Sequence, residues 1–145
     1  MKITLDDCSL CKRVSLLKKG QYPYLIEEWD ECYWLLGEHQ YYPGYSVLLL
    51  KEHAKEVTAL PAIRRTKVFE ELMMAQERIE AVFNPWKMNV CSLGNVVPHV
   101  HWHLFPRYAD DALRENPPWL QMQKFSEKSI TPTEAASIIS KIRAK

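Results

Sequence analysis

Residues 95–107 read "NVVPHVHWHLFPR". The chain holds five histidines, and three of them, His99, His101 and His103, fall here at every second position. They alternate with Val100, Trp102 and Leu104. Alternation of this kind specifies a strand whose successive side chains point to opposite faces. One face is then apolar and packs on a core, while the other carries a row of imidazoles. Three readings of that row compete. A solvated strand face is the bland one, although such faces are usually filled by Thr, Lys or Glu. A metal site is the second, since neutral imidazole suits zinc. Residues two apart on a strand lie about 7 Å apart, however, so three in a row converge poorly on one ion. A phosphate site is the third, with one imidazole as nucleophile and its neighbours as hydrogen-bond donors.

Outward from this strand, the chain reads as compact α+β. Residues 22–28 and 32–36 are two short strands joined around Trp29-Asp30, and 45–51 is a third strand buried on both faces. The loop 37–44 between them is punctuated by Pro43 and Gly44. Pro61 opens a long helix whose apolar stripe includes Phe69, Leu72, Met73, Ile79, Val82 and Phe83, and Asn84-Pro85 ends it. Residues 87–93 form a fourth strand and 99–105 the fifth. Residues 108–130 read as an irregular tail. "TPTE" at 131–134 starts a final helix, with Thr131 as N-cap, Pro132 at the first helical position and Glu134 placed for a capping box.

Length and composition fit this picture. The chain has 145 residues, 47% of them apolar and 26% charged, with 19 basic and 18 acidic side chains. A length of this order suits one domain, 1–145, able to bury its own core. A net charge of +1 gives no bulk attraction to nucleic acid or an anionic membrane. The N-terminal stretch "MKITLDDCSL" lacks a signal-peptide core, and the aliphatic run Val47–Leu50 is far too short to span a bilayer. The expectation is a cytoplasmic protein whose four cysteines are thiols or metal ligands rather than disulfides.

"HVHWHLF" resembles the H-φ-H-φ-H-φ-φ signature (φ apolar) of the histidine triad family, and most closely its small bacterial members. The resemblance extends over about residues 8–108: "YPGYSVLLLKEH", 42–53, resembles that family's P-G-H-x-L-V-x-P-K-x-H segment, and "LGNVVPHVHWHLFPR", 93–107, its triad segment with the following P-R. It implies a five-stranded, largely antiparallel sheet with one long helix and a C-terminal helix, and a C-terminal extension at 109–145. It also implies a homodimer whose sheets run into one, paired through the strand at 87–93 and the long helix.

The implied activity is hydrolysis or transfer at the α-phosphate of a nucleoside phosphate derivative, such as a phosphoramidate or a dinucleoside polyphosphate. His101 is then the nucleophile, with His99 and His103 flanking the phosphate. Asn89, Asn95, Tyr45, Arg107 and Trp119 are the candidate substrate contacts. For Arg107 the competing reading is a surface ion pair. For Trp119 it is packing of the tail onto the body, against a place in the pocket of a partner subunit. The alternative function is a nucleotide-binding regulatory homodimer with little turnover.

The chain departs from the family pattern at three places. The histidine of P-G-H is Tyr45, the hydroxyl-bearing residue three before the first triad histidine is Val96, and the frequent ribose-binding Asp or Asn is Gly37. Glu38, His39 or the backbone would then contact the ribose. Cys8-Ser-Leu-Cys11 is a C-x-x-C pair, by itself a weak signal. Zinc-binding relatives carry ligands at the positions of His53 and His99, which implies a structural Cys₂His₂ zinc formed by Cys8, Cys11, His53 and His99. Cys32 and Cys91 read as core residues.

Overall fold

The structure, a computed structural model, describes residues 7–145. The first six positions of the N-terminal stretch considered above lie outside the described residues. The chain builds one five-stranded antiparallel sheet from β1 (Leu25–Glu28), β2 (Cys32–Leu36), β3 (Ser46–Leu50), β4 (Lys87–Cys91) and β5 (His101–Arg107), in the order β1-β2-β3-β5-β4. Three α-helices accompany it: α1 (Ser9–Lys18), α2 (Ala62–Phe83) and α3 (Pro132–Arg143).

Both faces of the sheet are covered, which explains why every residue of β2 and β3 is buried. On one face Trp34, Leu36, Leu48, Leu50, Trp102 and Leu104 pack against Val68, Leu72, Ala75 and Ile79 of α2 and Ala135, Ile139 and Ile142 of α3. Each such large apolar side chain contributes about 1.5–3 kcal/mol by leaving water. The Trp34 indole N–H, buried on this face, donates to Ser46 Oγ at 3.0 Å. Within the stripe expected on α2, Leu72 and Ile79 are core residues, whereas Phe69 and Met73 are 46% and 43% exposed. The left-handed Asn84, φ 46°, ends the helix as expected.

The second face has two coverings. Leu10, Val14 and Leu17 of α1 lie on Tyr33, Leu35 and Leu49. Further along, an aromatic cluster of Tyr42, Tyr45, Val47, Phe105 and Phe125 forms under the 3-10 segment Pro118–Lys128. The tail covering agrees with the expected packing of Trp119 on the body, whereas helix α1 departs from the sequence reading. Leu10, Val14 and Leu17 of α1 have helical spacing, and the C-x-x-C pair occupies the helix's N-cap and first turn. Its first turn is capped by Cys8, whose sulfur accepts from the Cys11 N–H at 3.4 Å. The "irregular" tail is ordered by backbone bonds to the 37–44 loop: Gln40 N donates to Lys128 O at 2.8 Å and Ile130 N to Glu38 O at 3.0 Å.

The C-terminal helix starts as expected. Thr131 and Glu134 form a reciprocal capping box, with Pro132 in the first turn. Arg143 Nε then donates to Ile26 O at 2.7 Å, tying the helix to β1. Strand β4 pairs only with β5 among the described residues and so lies at a sheet edge. No helix of the described residues is long and apolar enough to cross a membrane.

Candidate active site and metal-ligand cluster

The register of β5 sets the site. Trp102 pairs with Leu48 and faces α2, while His101 lies opposite Leu49, and His103 lies between Val47 of β3 and Cys91 of β4. Leu49 belongs to the α1 covering and Val47 to the aromatic one, so the two histidines straddle the junction between them. Their rings meet at 4.9 Å, edge to face.

The strand begins at His101, two residues later than the alternation implied. His99 lies before it and turns into the protein, only 1% exposed. Its Nε2 bonds the Leu50 carbonyl oxygen at 2.8 Å, and its Nδ1 lies 3.6 Å from Cys8 Sγ and 3.5 Å from Cys11 Sγ. Both ring nitrogens are engaged, so none is left for a phosphate, and the expectation that His99 flanks it with His103 is corrected. What His99 gives the site is its carbonyl oxygen, 2.6 Å from His101 Nδ1. A carbonyl only accepts, so Nδ1 carries the proton and the lone pair of His101 is on Nε2. No group among the described residues bonds that nitrogen.

The ligating atoms of Cys8, Cys11, His53 and His99 all lie within 4.8 Å of one another, close enough to hold a metal ion. Cys11 Sγ is 3.2 Å from His53 Nδ1. Tetrahedral coordination with metal–sulfur and metal–nitrogen bonds of about 2.3 and 2.1 Å sets sulfur and nitrogen roughly 3.6 Å apart, close to the spacings here. The bond from His99 Nε2–H to the Leu50 carbonyl also leaves Nδ1 unprotonated and aimed at the sulfurs, the arrangement a metal-binding imidazole needs. Burial, followed by the neighbouring Cys8, pushes the Cys11 thiol up to about 11. A thiolate at Cys11 at neutral pH therefore requires a cation beside it.

Around His103 the site is aromatic. Tyr45 places its hydroxyl 2.8 Å from His103 Nδ1. The Tyr45 ring packs on His39 and Phe105, each at 4.5 Å, and Phe125 closes the cluster against His39 at 4.3 Å and Phe105 at 6.1 Å. Burial first, then the nearby His101 and His39, lowers His103 to about 4. Burial likewise lowers His39 to about 4 against a weak opposing pull from Glu38. Both are neutral at pH 7. Gly37 is explained by Tyr45: a Cβ on Gly37 would fall 2.1 Å from the Tyr45 ring. The side of the sheet where a ribose-contacting carboxylate was sought is therefore filled by a phenol.

The remaining candidates are distributed unevenly. Trp119 stands edge-on to His103 of its own chain at 4.8 Å and to Phe105 at 5.1 Å, so the tail packs on its own body. Asn89 lies on β4 opposite Phe105, with its Oδ1 accepting from Arg107 at 3.0 Å. Arg107 corrects both of its expected roles. It is fully buried, and all five of its N–H groups are used on Asp111, Asn89 and the carbonyls of Leu113 and Asn116. It has no donor left for a phosphate and is no surface ion pair; it anchors the start of the tail. Asn95 lines a cavity of about 520 Å³ with His99 and Trp102 and makes no hydrogen bond to His101 or His103, and Val96 beside it is 89% exposed. A cavity of about 740 Å³ lined by Tyr41, Tyr42, Phe83, Tyr108 and Asp111 contains none of the triad.

Sequence reasoning missed Phe125 and Phe105 as neighbours of the triad. Phe105 was legible, being two residues beyond His103 on the same strand face; Phe125 is brought in only by the tertiary fold.

A family model described as HIT domain matches residues 19–110, which take in β1 to β5 and the whole triad. The chain belongs to the histidine triad (HIT) family. Solved HIT structures agree in fold. A HIT protein from Sinorhizobium meliloti 1021 superposes with a TM-score of 0.75 at 20% identity, covering 97% of this chain and 98% of that one. A histidine triad protein from Marinobacter aquaeolei VT8 gives 0.70 at 26% identity, covering 83% and 85%. A third, from Sulfolobus tokodaii strain7, gives 0.70 at 14% identity, covering 92% and 90%. No curated protein matches the chain. The HIT match ends at residue 110, so the 3-10 segment that brings Trp119 and Phe125 to this HIT site lies beyond it.

Proposed function

We propose that the chain is a nucleotide hydrolase or transferase that works through His101, in one histidine triad domain with a C-terminal extension. The observation that carries the reading is the 2.6 Å bond from His101 Nδ1–H to the His99 carbonyl, which leaves the Nε2 lone pair as an unencumbered nucleophile. Nε2 attacks the α-phosphorus of a phosphoramidate or dinucleoside polyphosphate. A nitrogen–phosphorus bond forms, and the bond to the leaving group breaks with its electron pair. Water then attacks the nucleotidyl-histidine, releases the nucleoside monophosphate and returns the lone pair to Nε2. Splitting one difficult displacement into two lowers each barrier. HIT membership supports this class, and the Sulfolobus tokodaii protein is described as a hypothetical histidine triad nucleotide-binding protein.

In this reading zinc is the ion that suits Cys8, Cys11, His53 and His99. Four protein ligands close its shell, so its role is structural: it anchors α1 and the residue whose carbonyl holds His101. The working unit is a cytoplasmic homodimer. Exposed Phe69 and Met73 on α2 and the edge strand β4 supply a surface for two-fold pairing, with one continuous sheet as the result. A second reading, a nucleotide-binding regulatory homodimer with little turnover, draws on the dense aromatic packing of Trp119 against His103.

Incubation with adenosine phosphoramidates and dinucleoside polyphosphates separates the two. Release of nucleoside monophosphate, together with an alkali-quenched protein adduct of nucleotidyl mass, is the expected result. Tight binding without release or adduct would establish the regulatory reading instead.

A further inference from the structure

We infer that Tyr45 is a positioning residue that fixes the proton of His103 on Nε2, so that His103 meets the substrate as a hydrogen-bond donor while His101 meets it as a lone pair. The inference rests on the proposed reaction for its meaning, but the geometry behind it stands on its own.

The Tyr45 hydroxyl and His103 Nδ1 are 2.8 Å apart, and the hydroxyl has no other partner among the described residues. Either group could in principle donate. Were Nδ1–H the donor, the tyrosine would accept and its own O–H would be left buried with no acceptor, at a cost of about 1–3 kcal/mol. With the hydroxyl donating, nothing is orphaned. Nδ1 then has no proton, and a neutral imidazole must carry it on Nε2.

Packing holds the contact in place. The two rings are parallel within 6°, with centroids 6.1 Å apart. The hydroxyl meets Nδ1 at 2.8 Å across this nearly parallel pair. The phenol is not free to leave: Tyr45 is 6% exposed, packed on His39 and Phe105, and seated where Gly37 has no Cβ. Burial keeps both partners neutral, raising the Tyr45 hydroxyl and lowering His103 to about 4.

The two neighbouring imidazoles are thereby held in opposite tautomers by different acceptor and donor groups. His101 gives its Nδ1 proton to a carbonyl, and His103 receives one at Nδ1 from a phenol. An Nε2–H beside the attacking nitrogen is the group that a phosphoryl oxygen, gaining negative charge as the displacement proceeds, requires.

The test is Tyr45→Phe in protein labelled with ¹⁵N-histidine, with His103 assigned by comparison with His103→Asn. Phenylalanine keeps the ring packing and removes only the donor, and a thermal melt checks that the fold is retained. In the parent protein His103 Nδ1 should resonate as an unprotonated, pyridine-type nitrogen and Nε2 as a protonated, pyrrole-type one. In Tyr45→Phe the two tautomers should mix. The kcat for phosphoramidate cleavage should fall by roughly tenfold with KM moving less, short of the ~10²–10³-fold loss for deleting a donor outright. A protonated Nδ1 in the parent, or a tautomer unchanged in Tyr45→Phe, overturns the inference whether or not the protein turns over. Absence of turnover in the parent overturns the proposed reaction, and the nitrogen spectrum still decides the tautomer.

Discussion

His101 Nδ1 lies 2.6 Å from the carbonyl oxygen of His99, and the side chain of that same His99 lies among Cys8, Cys11 and His53. One residue thus belongs to the metal-ligand cluster through its ring and to the triad through its backbone. A disturbance of the cluster reaches the nucleophile through a single peptide unit.

Replacing His101 by alanine removes the attacking atom at small structural cost, since its ring is only partly buried and its one side-chain hydrogen bond among the described residues goes to the His99 carbonyl. Nucleotidyl transfer and the protein adduct should both vanish, with the melting temperature within about 2–3 °C of the parent, as ΔΔG for such a change is within about 0.5–1 kcal/mol. Parent-like turnover of the alanine variant would move the nucleophile elsewhere.

Protein purified without chelator should carry about one zinc per chain. Serine at both Cys8 and Cys11 should abolish the metal and lower the melting temperature, by roughly 3–4 °C for each ~1 kcal/mol lost at this chain length. Elemental analysis reads the first outcome and calorimetry the second. Metal-free parent protein of unchanged stability on zinc addition would end the assignment.

Arg107 separates a structural role from a catalytic one. With its charge fully buried against Asp111, Arg107→Ala should destabilise by about 3–5 kcal/mol, and Arg107→Lys should not rescue it, because an ammonium cannot reproduce the planar fork. Denaturant titration measures both. A stable Arg107→Ala variant with impaired turnover alone would restore the phosphate role.

Acid should weaken the fold in a defined window. His39 and His103 are each held near 4 in the folded state against 6.5 ordinarily. The unfolded chain therefore binds more protons between these values. Stability from these groups is present above about pH 6.5 and is lost as pH falls toward 4. The melting temperature should drop across that interval, and His39→Phe, which keeps the stacking on Tyr45 and Phe125, should flatten the slope. An identical slope in that variant would mean that His39 is freely solvated.

What the sequence revealed tracks what each element depends on. The triad strand, the hairpin at Trp29-Asp30, the fully buried β3, the end of α2 at Asn84 and the Thr131–Glu134 box are all local: alternation, turn residues and caps specify them within a few positions. Spacing marks Cys8 and Cys11, the family resemblance adds His53 and His99, and the fold brings the four together. The failures were non-local. Nothing near Arg107 says that it will be enclosed by Asp111, Leu113 and Asn116, and nothing near Phe125 says that it will stack on His39, 86 positions away. His99 sits at the boundary: the alternation that identified it continues in sequence beyond the point where the strand stops.

The contact between Gly37 and the Tyr45 ring has an evolutionary corollary. Any side chain at 37 collides with the phenol, and a small residue at 45 alone leaves a hollow beside Val47 and Phe105. A side chain at 37 therefore calls for a smaller ring at 45. The two sites are bound by epistasis: what position 37 can carry is set by the size of the ring at 45.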